Sequence, residues 1–207
     1  MRRVLVIVGL LQTCFCGSVL ACGEAQKGSV IFEDNFADDS GGWDRSDYTN
    51  VESPAFVIKL DKNAVSVVTE NLTFDVKEGD FCVDVALPPS PPENGVEGGL
   101  VFWGSDYANY YVFLISPNSS ASLWRKTNGN WNRIVAGTAP VKPTETNSIR
   151  AIAKGDLITL FVNGQEFKKV RAQNTGASRF GMYTAVDKPL TDPIKFTFQN
   201  FKVTTGE

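Results

Sequence analysis

Residues 123–134 have the sequence Leu-Trp-Arg-Lys-Thr-Asn-Gly-Asn-Trp-Asn-Arg-Ile, and this stretch predicts a β-hairpin. Asn128-Gly129 separates two runs of β-compatible residues, and Asn-Gly suits the positive φ angles of a two-residue hairpin turn. With these two residues as the loop, Leu123 is expected to face Ile134 on the side of the sheet that packs on a core.

The other face of this predicted hairpin carries two indoles and two cations. Lys126 is expected opposite Trp131, and Trp124 opposite Arg133, because side chains alternate along a strand. A cation beside an exposed indole is worth about 0.5–1 kcal/mol. We expect this face to point outward.

The rest of the chain shows the same strand character. Apolar residues alternate with polar or small ones over 81–87 and over 194–199, and Asn163-Gly164 repeats the hairpin signal. The alternation changes parity before Phe201, so a bulge or bend is expected near Gln199-Asn200. No stretch shows sustained helical periodicity, and the sequence therefore predicts an all-β sandwich.

The first residues have the pattern of a secretory signal peptide. Arg2 and Arg3 precede the mostly apolar run 4–11, and small residues follow. The apolar run is too short for a membrane span, which needs about 20 residues. We expect a signal peptide over 1–25, one domain over 26–207 without a transmembrane segment, and a periplasmic or secreted location.

Cys22 leaves a second way of processing open. Val19-Leu20-Ala21 before Cys22 resembles a bacterial lipobox, in which the cysteine carries a lipid anchor. Cleavage after Ala25 leaves Cys82 as the remaining cysteine, so no internal disulfide forms. If Cys22 is retained, a bridge or a lipid becomes possible.

Composition excludes several kinds of chemistry. The 207 residues contain no histidine, which excludes a Ser-His-Asp triad, a Cys-His dyad and the His-Glu-x-x-His zinc motif. The formal net charge is −3 and no basic run occurs, so we expect no nucleic-acid partner. No cofactor motif is present, and the acidic residues of 34–47 match no calcium loop, so we expect no cofactor and no metal. Carboxylate-only glycoside hydrolysis stays open, but no acid pair is marked out.

Several short runs together give a family resemblance, and they occur in the order 98–103, 109–114, 123–126, 147–150, 160–164 and 198–203. They resemble the concanavalin A-like lectin/glucanase superfamily, and most closely its bacterial 3-keto-disaccharide hydrolase-type domains, over residues 29–204. The resemblance implies a jelly-roll sandwich of two antiparallel sheets, with 31–34 beside 196–203. The glucanase motif Glu-x-Asp-x-x-Glu is absent, since Glu93 and Glu97 lack the intervening aspartate.

Aromatic residues provide the candidate ligand site. Sugar rings have apolar C–H faces that stack on aromatic rings, while polar side chains hold the hydroxyl groups. The alternative is that these aromatic residues belong to the core, above all Trp103. The candidate ligand-binding residues are Trp103, Asp106, Tyr107, Asn109, Trp124, Lys126, Trp131 and Arg133.

Three functional hypotheses follow from these observations. The first is an exported, non-catalytic carbohydrate-binding module that stacks a saccharide on exposed aromatic rings. The second, which the resemblance implies, is a hydrolase or lyase of glycosides or 3-keto-disaccharides. The third is a structural or interaction domain of the cell envelope.

Overall fold

A computed structural model describes Cys22, residues 26–89 and residues 95–206 of the chain. Within these ranges the chain forms β-strands joined by turns and loops, and no helix. The predicted all-β sandwich is confirmed.

The strands form two antiparallel sheets. The larger sheet has the order β12-β11-β10-β5-β14-β3-β2, and β1 also pairs with β14. The smaller has the order β4-β13-β6-β7-β8-β9. The strand bounds are β1 Val30–Asp34, β2 Thr49–Val51, β3 Phe56–Leu60, β4 Ser66–Glu70, β5 Gly79–Ala86, β6 Glu97–Asp106, β7 Asn109–Ser116, β8 Ser120–Thr127, β9 Asn130–Thr138, β10 Thr146–Lys154, β11 Leu157–Val162, β12 Gln165–Arg171, β13 Arg179–Ala185 and β14 Ile194–Thr204.

The main core lies between the two sheets. Alternate side chains of β5, β6, β7 and β14 point into it, among them Phe81, Phe102, Phe113 and Phe198, all fully buried. The opposite faces of the same strands point outward, as period-2 alternation requires. The smaller sheet therefore has one face on the core and one outer face, and the outer face carries a second apolar cluster.

The first and last strands are neighbours, as expected. β1 pairs with Phe201–Thr204, while β3 pairs with the earlier part of β14, Ile194–Phe198. The pairing of β14 with β5 shifts between Gln199 and Lys202, and Asn200 has a φ of 51°. The bulge predicted from the parity change is confirmed.

The hairpin of residues 123–134 has the predicted turn. Asn128 and Gly129 have φ angles of 50° and 80°, Lys126 pairs with Trp131, and Trp124 pairs with Arg133. The pairing predicted for Leu123 is wrong. A bulge shifts the register between Leu123 and Trp124, so that Leu123 lies opposite Val135 rather than Ile134.

The cysteines follow the alternative that the sequence left open for a chain that retains Cys22. Cys82 forms a disulfide with Cys22, and the backbone N–H of Cys22 donates to Asp84 Oδ1 at 3.0 Å. A bridge therefore exists where cleavage after Ala25 would leave none, and the pairing depends on the chain retaining Cys22. A bridged Cys22 sulfur cannot also carry a thioether-linked lipid. The predicted signal sequence itself lies outside the described residues.

No helix in the described ranges is long and apolar enough to cross a membrane.

Candidate functional site

Four rings from four strands meet on the outer face of the smaller sheet. We call Tyr110, Trp124, Trp131 and Tyr183 the outer aromatic cluster. The Trp131 ring centroid lies 5.7 Å from Tyr110, 6.3 Å from Trp124 and 5.8 Å from Tyr183, in each case with near-perpendicular planes. Such edge-to-face pairs each add about 0.5–1.5 kcal/mol beyond their buried area.

The rings differ in how far they meet solvent. Tyr110 and Tyr183 are buried, Trp124 is half-buried, and Trp131 is 42% exposed. They cover an apolar floor formed by Val101, Val112 and Leu114. Trp131 is therefore the ring of the cluster that is most open to a ligand.

Two cations border the cluster, as the hairpin pairing predicted. Lys126 Nζ lies 5.4 Å from the Tyr110 ring centroid and 5.2 Å from that of Trp131. The guanidinium carbon of Arg133 lies 5.5 Å from the Trp124 centroid. Lys126 Nζ also donates to the Tyr107 carbonyl at 3.0 Å, which holds the ammonium at the edge of the cluster.

A pocket of about 260 Å³ opens beside the cluster. We call it the aromatic pocket, and its lining residues are Glu97, Leu114, Trp124, Trp131, Tyr183 and Asp187. The antiparallel pairing of β6 with β13 places Glu97 opposite Ala185, close to Asp187 just beyond the end of β13. A Cβ on Gly95, whose φ is 55°, would come within 2.0 Å of the Asp187 carboxylate, so glycine permits this approach.

The surroundings of Glu97 change its pKa. Burial, and secondly the nearby Asp187 charge, raise the pKa of Glu97 to about 7. Within the described ranges neither carboxyl group has a hydrogen-bond or ion-pair partner. Glu97 therefore titrates near neutral pH, where it can hold or release a proton.

Another acidic residue of the same sheet, Glu70, differs from Glu97 because it forms an ion pair. Glu70 on β4 is fully buried and binds Arg179 of β13, with Arg179 Nη1 at 3.1 Å from Glu70 Oε2. Burial raises the pKa of Glu70, and Arg179 acts in the opposite direction. Glu70 thus has a resident cation, which Glu97 lacks.

Trp103 does not belong to the outer face. Its side chain is fully buried in the main core, and its Nε1–H donates to the Lys77 carbonyl at 2.6 Å. The chain leaves regular pairing between Phe102 and Asp106, and Trp103 has a φ of 50°. This irregularity turns the indole inward, so its proposed stacking role is corrected.

The loop after Trp103 mainly bonds to itself. Asp106 Oδ1 accepts from Ala108 N–H at 2.7 Å and from Asn109 Nδ2 at 2.9 Å, and these bonds lower the pKa of Asp106, the Asn109 bond most. Asn109 Oδ1 accepts from Asn128 N–H at 2.9 Å. Tyr107 is partly exposed and donates its hydroxyl to Asp44; burial and this bond raise the pKa of the phenol. These polar groups shape the turns beside the cluster.

Four lining residues of the pocket were not among the predicted site residues: Glu97, Leu114, Tyr183 and Asp187. Tyr183 has the opposite parity to the core residues Phe180 and Met182, a signal that was available along 179–185. Glu97 entered only as part of an absent motif, and Asp187 was not considered. Their proximity depends on strand pairing between distant segments, which spacing does not show.

Comparison with known proteins identifies the fold. No family model matches the sequence, and no curated protein matches it. A carbohydrate-binding module of Bacillus subtilis, CBM66, superposes with a TM-score of 0.66 at 13% identity, covering 79% of this chain and 95% of the module. The catalytic domain of an endo-1,3-β-glucanase from Thermotoga petrophila gives 0.64 at 12%, with 86% and 98% covered. A Bacillus licheniformis β-glucanase gives 0.66 at 12%, with 86% and 99% covered.

The chain therefore has the concanavalin A-like jelly-roll fold, as the sequence motifs predicted. At these identities the likeness concerns the fold. The narrower resemblance to 3-keto-disaccharide hydrolase-type domains stays a prediction.

Proposed function

We propose that this protein binds saccharides at the aromatic pocket, stacking a sugar ring on Trp131 and Trp124. The single observation that carries the proposal is the partly exposed Trp131 ring at the mouth of a pocket of about 260 Å³. A solvent-exposed indole beside an apolar recess matches the C–H face of a pyranose or furanose, and Glu97, Asp187 and Arg133 offer hydrogen bonds to hydroxyl groups.

The proposal is tested by calorimetric titration with oligosaccharides, including β-1,3-glucans because glucanases share the fold. Trp131→Ala should weaken binding about tenfold, as is usual when a central aromatic anchor is truncated, and Trp124→Ala should weaken it less. Phe74→Ala is the matched control, since this aromatic residue is 45% exposed and packs on Phe32 instead. Unchanged affinity in both tryptophan variants would reject the stacking surface.

A second candidate function is glycoside hydrolysis. It is favoured by Glu97, whose pKa of about 7 beside Asp187 suits a general acid opposite a second carboxylate. Turnover of glycosides or 3-keto-glycosides, lost in Glu97→Gln, would support it. Binding without turnover across the same substrates would favour the non-catalytic module.

We further propose export to an oxidising compartment. The Cys22–Cys82 bridge supports this, because disulfides persist in the periplasm and outside the cell and are rare in reducing cytosol. Cell fractionation followed by intact-mass measurement, with and without reductant, tests both the location and the retention of Cys22. A mature chain that begins after Ala25 would contradict the bridge.

A further inference from the structure

We infer that the saccharide bound at the aromatic pocket carries a positive charge, as an amino sugar does, and that its ammonium group lies between Glu97 and Asp187. The inference rests on the proposed function, which it makes more specific. Two properties of the ligand are specified: its positive charge, and the end of the site at which its ammonium group lies.

Two fully buried carboxylates of the protein each have a resident cation, whereas Glu97 has none among the described residues. Asp80 is fully buried and receives two bonds from Arg150, at 2.7 and 2.5 Å, and Glu70 is fully buried and binds Arg179. Within the described ranges the charged group that acts on Glu97 is instead another carboxylate, Asp187, and no cation pairs with Glu97. A partly buried Glu97 beside the exposed Asp187, without a cation, carries an electrostatic cost that a bound ammonium group would reduce.

The other walls of the aromatic pocket are aromatic and apolar. The same pocket is lined by Trp124, Trp131 and Tyr183, whose rings attract cations through their π faces and also accept the C–H face of a sugar. A neutral sugar uses the rings and offers the acid pair hydroxyl donors, but it brings no compensating charge. A simple ammonium ion uses the acids and leaves the apolar wall empty. An amino sugar satisfies both.

Charge is unevenly distributed along the outer face of the smaller sheet. Arg133 pairs with Trp124, which lies in one row with Val112 and Val101 across the sheet. Glu97 lies four positions before Val101 on β6, which is about 13 Å along the strand. The cations and the acid pair therefore lie at opposite ends of the site. This polarity directs the ammonium group of a ligand toward Glu97 and away from Arg133.

The experiment compares three tetrasaccharides by calorimetry at physiological ionic strength. Glucosamine tetramer and cellotetraose share the β-1,4 linkage and differ in the amino group, and the N-acetylglucosamine tetramer keeps the nitrogen without its charge. The glucosamine tetramer should bind about tenfold more tightly than cellotetraose, which corresponds to one charge-assisted hydrogen bond. Glu97→Gln and Asp187→Asn should each remove most of this preference, measured as the ratio of the glucosamine tetramer affinity to the cellotetraose affinity of the same variant.

Glu166→Gln is the matched control, because Glu166 is an exposed acid on β12 of the opposite sheet. It changes the net charge equally and should keep the preference, which separates the pocket from general attraction to an acidic protein. The inference would be overturned by equal affinity for the glucosamine tetramer and cellotetraose, or by a preference that survives in both pocket variants. Either result would leave the proposed function standing. If none of the three sugars binds, this inference fails as well, and the proposed function is decided by the wider oligosaccharide titration with the two tryptophan variants.

Discussion

Replacing Glu97 by glutamine should stabilise the protein above neutral pH and leave its stability in acid unchanged. Burial and the Asp187 charge raise the pKa of Glu97 from 4.5 to about 7 in the folded state. A carboxyl group whose pKa is higher when folded contributes stability that is complete below about pH 4.5 and is lost as the pH rises through about 7. Glutamine never ionises, so the variant avoids that loss.

The magnitude follows from the size of the pKa change. The difference between 4.5 and about 7 corresponds to about 3 kcal/mol, at about 1.4 kcal/mol per pH unit. Because the Glu97 side chain reaches solvent through the pocket mouth, screening reduces the expected gain to about 1–2 kcal/mol. In a domain of this size, each kcal/mol raises the melting temperature by about 2–4 °C.

Urea unfolding at about pH 4.5 and about pH 8 measures the effect for wild type, Glu97→Gln and the exposed control Glu166→Gln. The gain should appear at the higher pH, in Glu97→Gln and not in the control. Asp187→Asn should give part of the same gain, because Asp187 is the second cause of the raised pKa. A gain that is independent of pH, or a loss of stability at the higher pH, would refute the account of an unpaired acid in the pocket.

Two further predictions concern the packing of the sandwich. Arg150→Ala should lower the free energy of unfolding by about 3–5 kcal/mol, because this change leaves the fully buried Asp80 carboxylate without its cation. Arg171→Ala removes an exposed ion pair and should change the free energy of unfolding little. Equal effects of the two substitutions in urea unfolding would contradict this reasoning. The Cys22–Cys82 bridge closes a loop across a sequence separation of 60, and its reduction should lower the free energy of unfolding by about 2–4 kcal/mol. The stability of the Cys82→Ala variant should not change when reductant is added.

The parts of the fold that could be predicted are those that local chemistry determines. Asn128-Gly129 selects its turn through the positive φ angles that these residues tolerate, and four residue pairs of the hairpin follow from that turn. The bulge at Asn200 was visible because it reverses the parity of a long alternating strand. The bulge beside Leu123 was not visible, because residues on both sides of it are compatible with either face.

The candidate site was only partly predictable for a related reason. Trp124 and Trp131 lie within one hairpin, so their common face follows from sequence separation. Glu97 and Asp187 come together through the pairing of β6 with β13, which are far apart in sequence. Trp103 was a candidate through its residue type, with the core as the alternative, and its fully buried side chain belongs to the core. Sequence periodicity thus does not show which distant strands pair, in which register they pair, or where the backbone departs from regular strand geometry.

The pairing of β1 with β14 has a consequence for engineering. Val30 lies opposite Thr204, and Thr205 N–H donates to the Ser29 carbonyl at 2.9 Å, so the two ends of the sandwich emerge side by side. Both belong to the larger sheet, whereas the outer aromatic cluster lies on the smaller one. A short linker between these ends, with new termini at the Asn163-Gly164 turn, would give a circular permutant whose pocket is unobstructed. Immobilisation on a support through either natural end would likewise leave the pocket free for ligand capture.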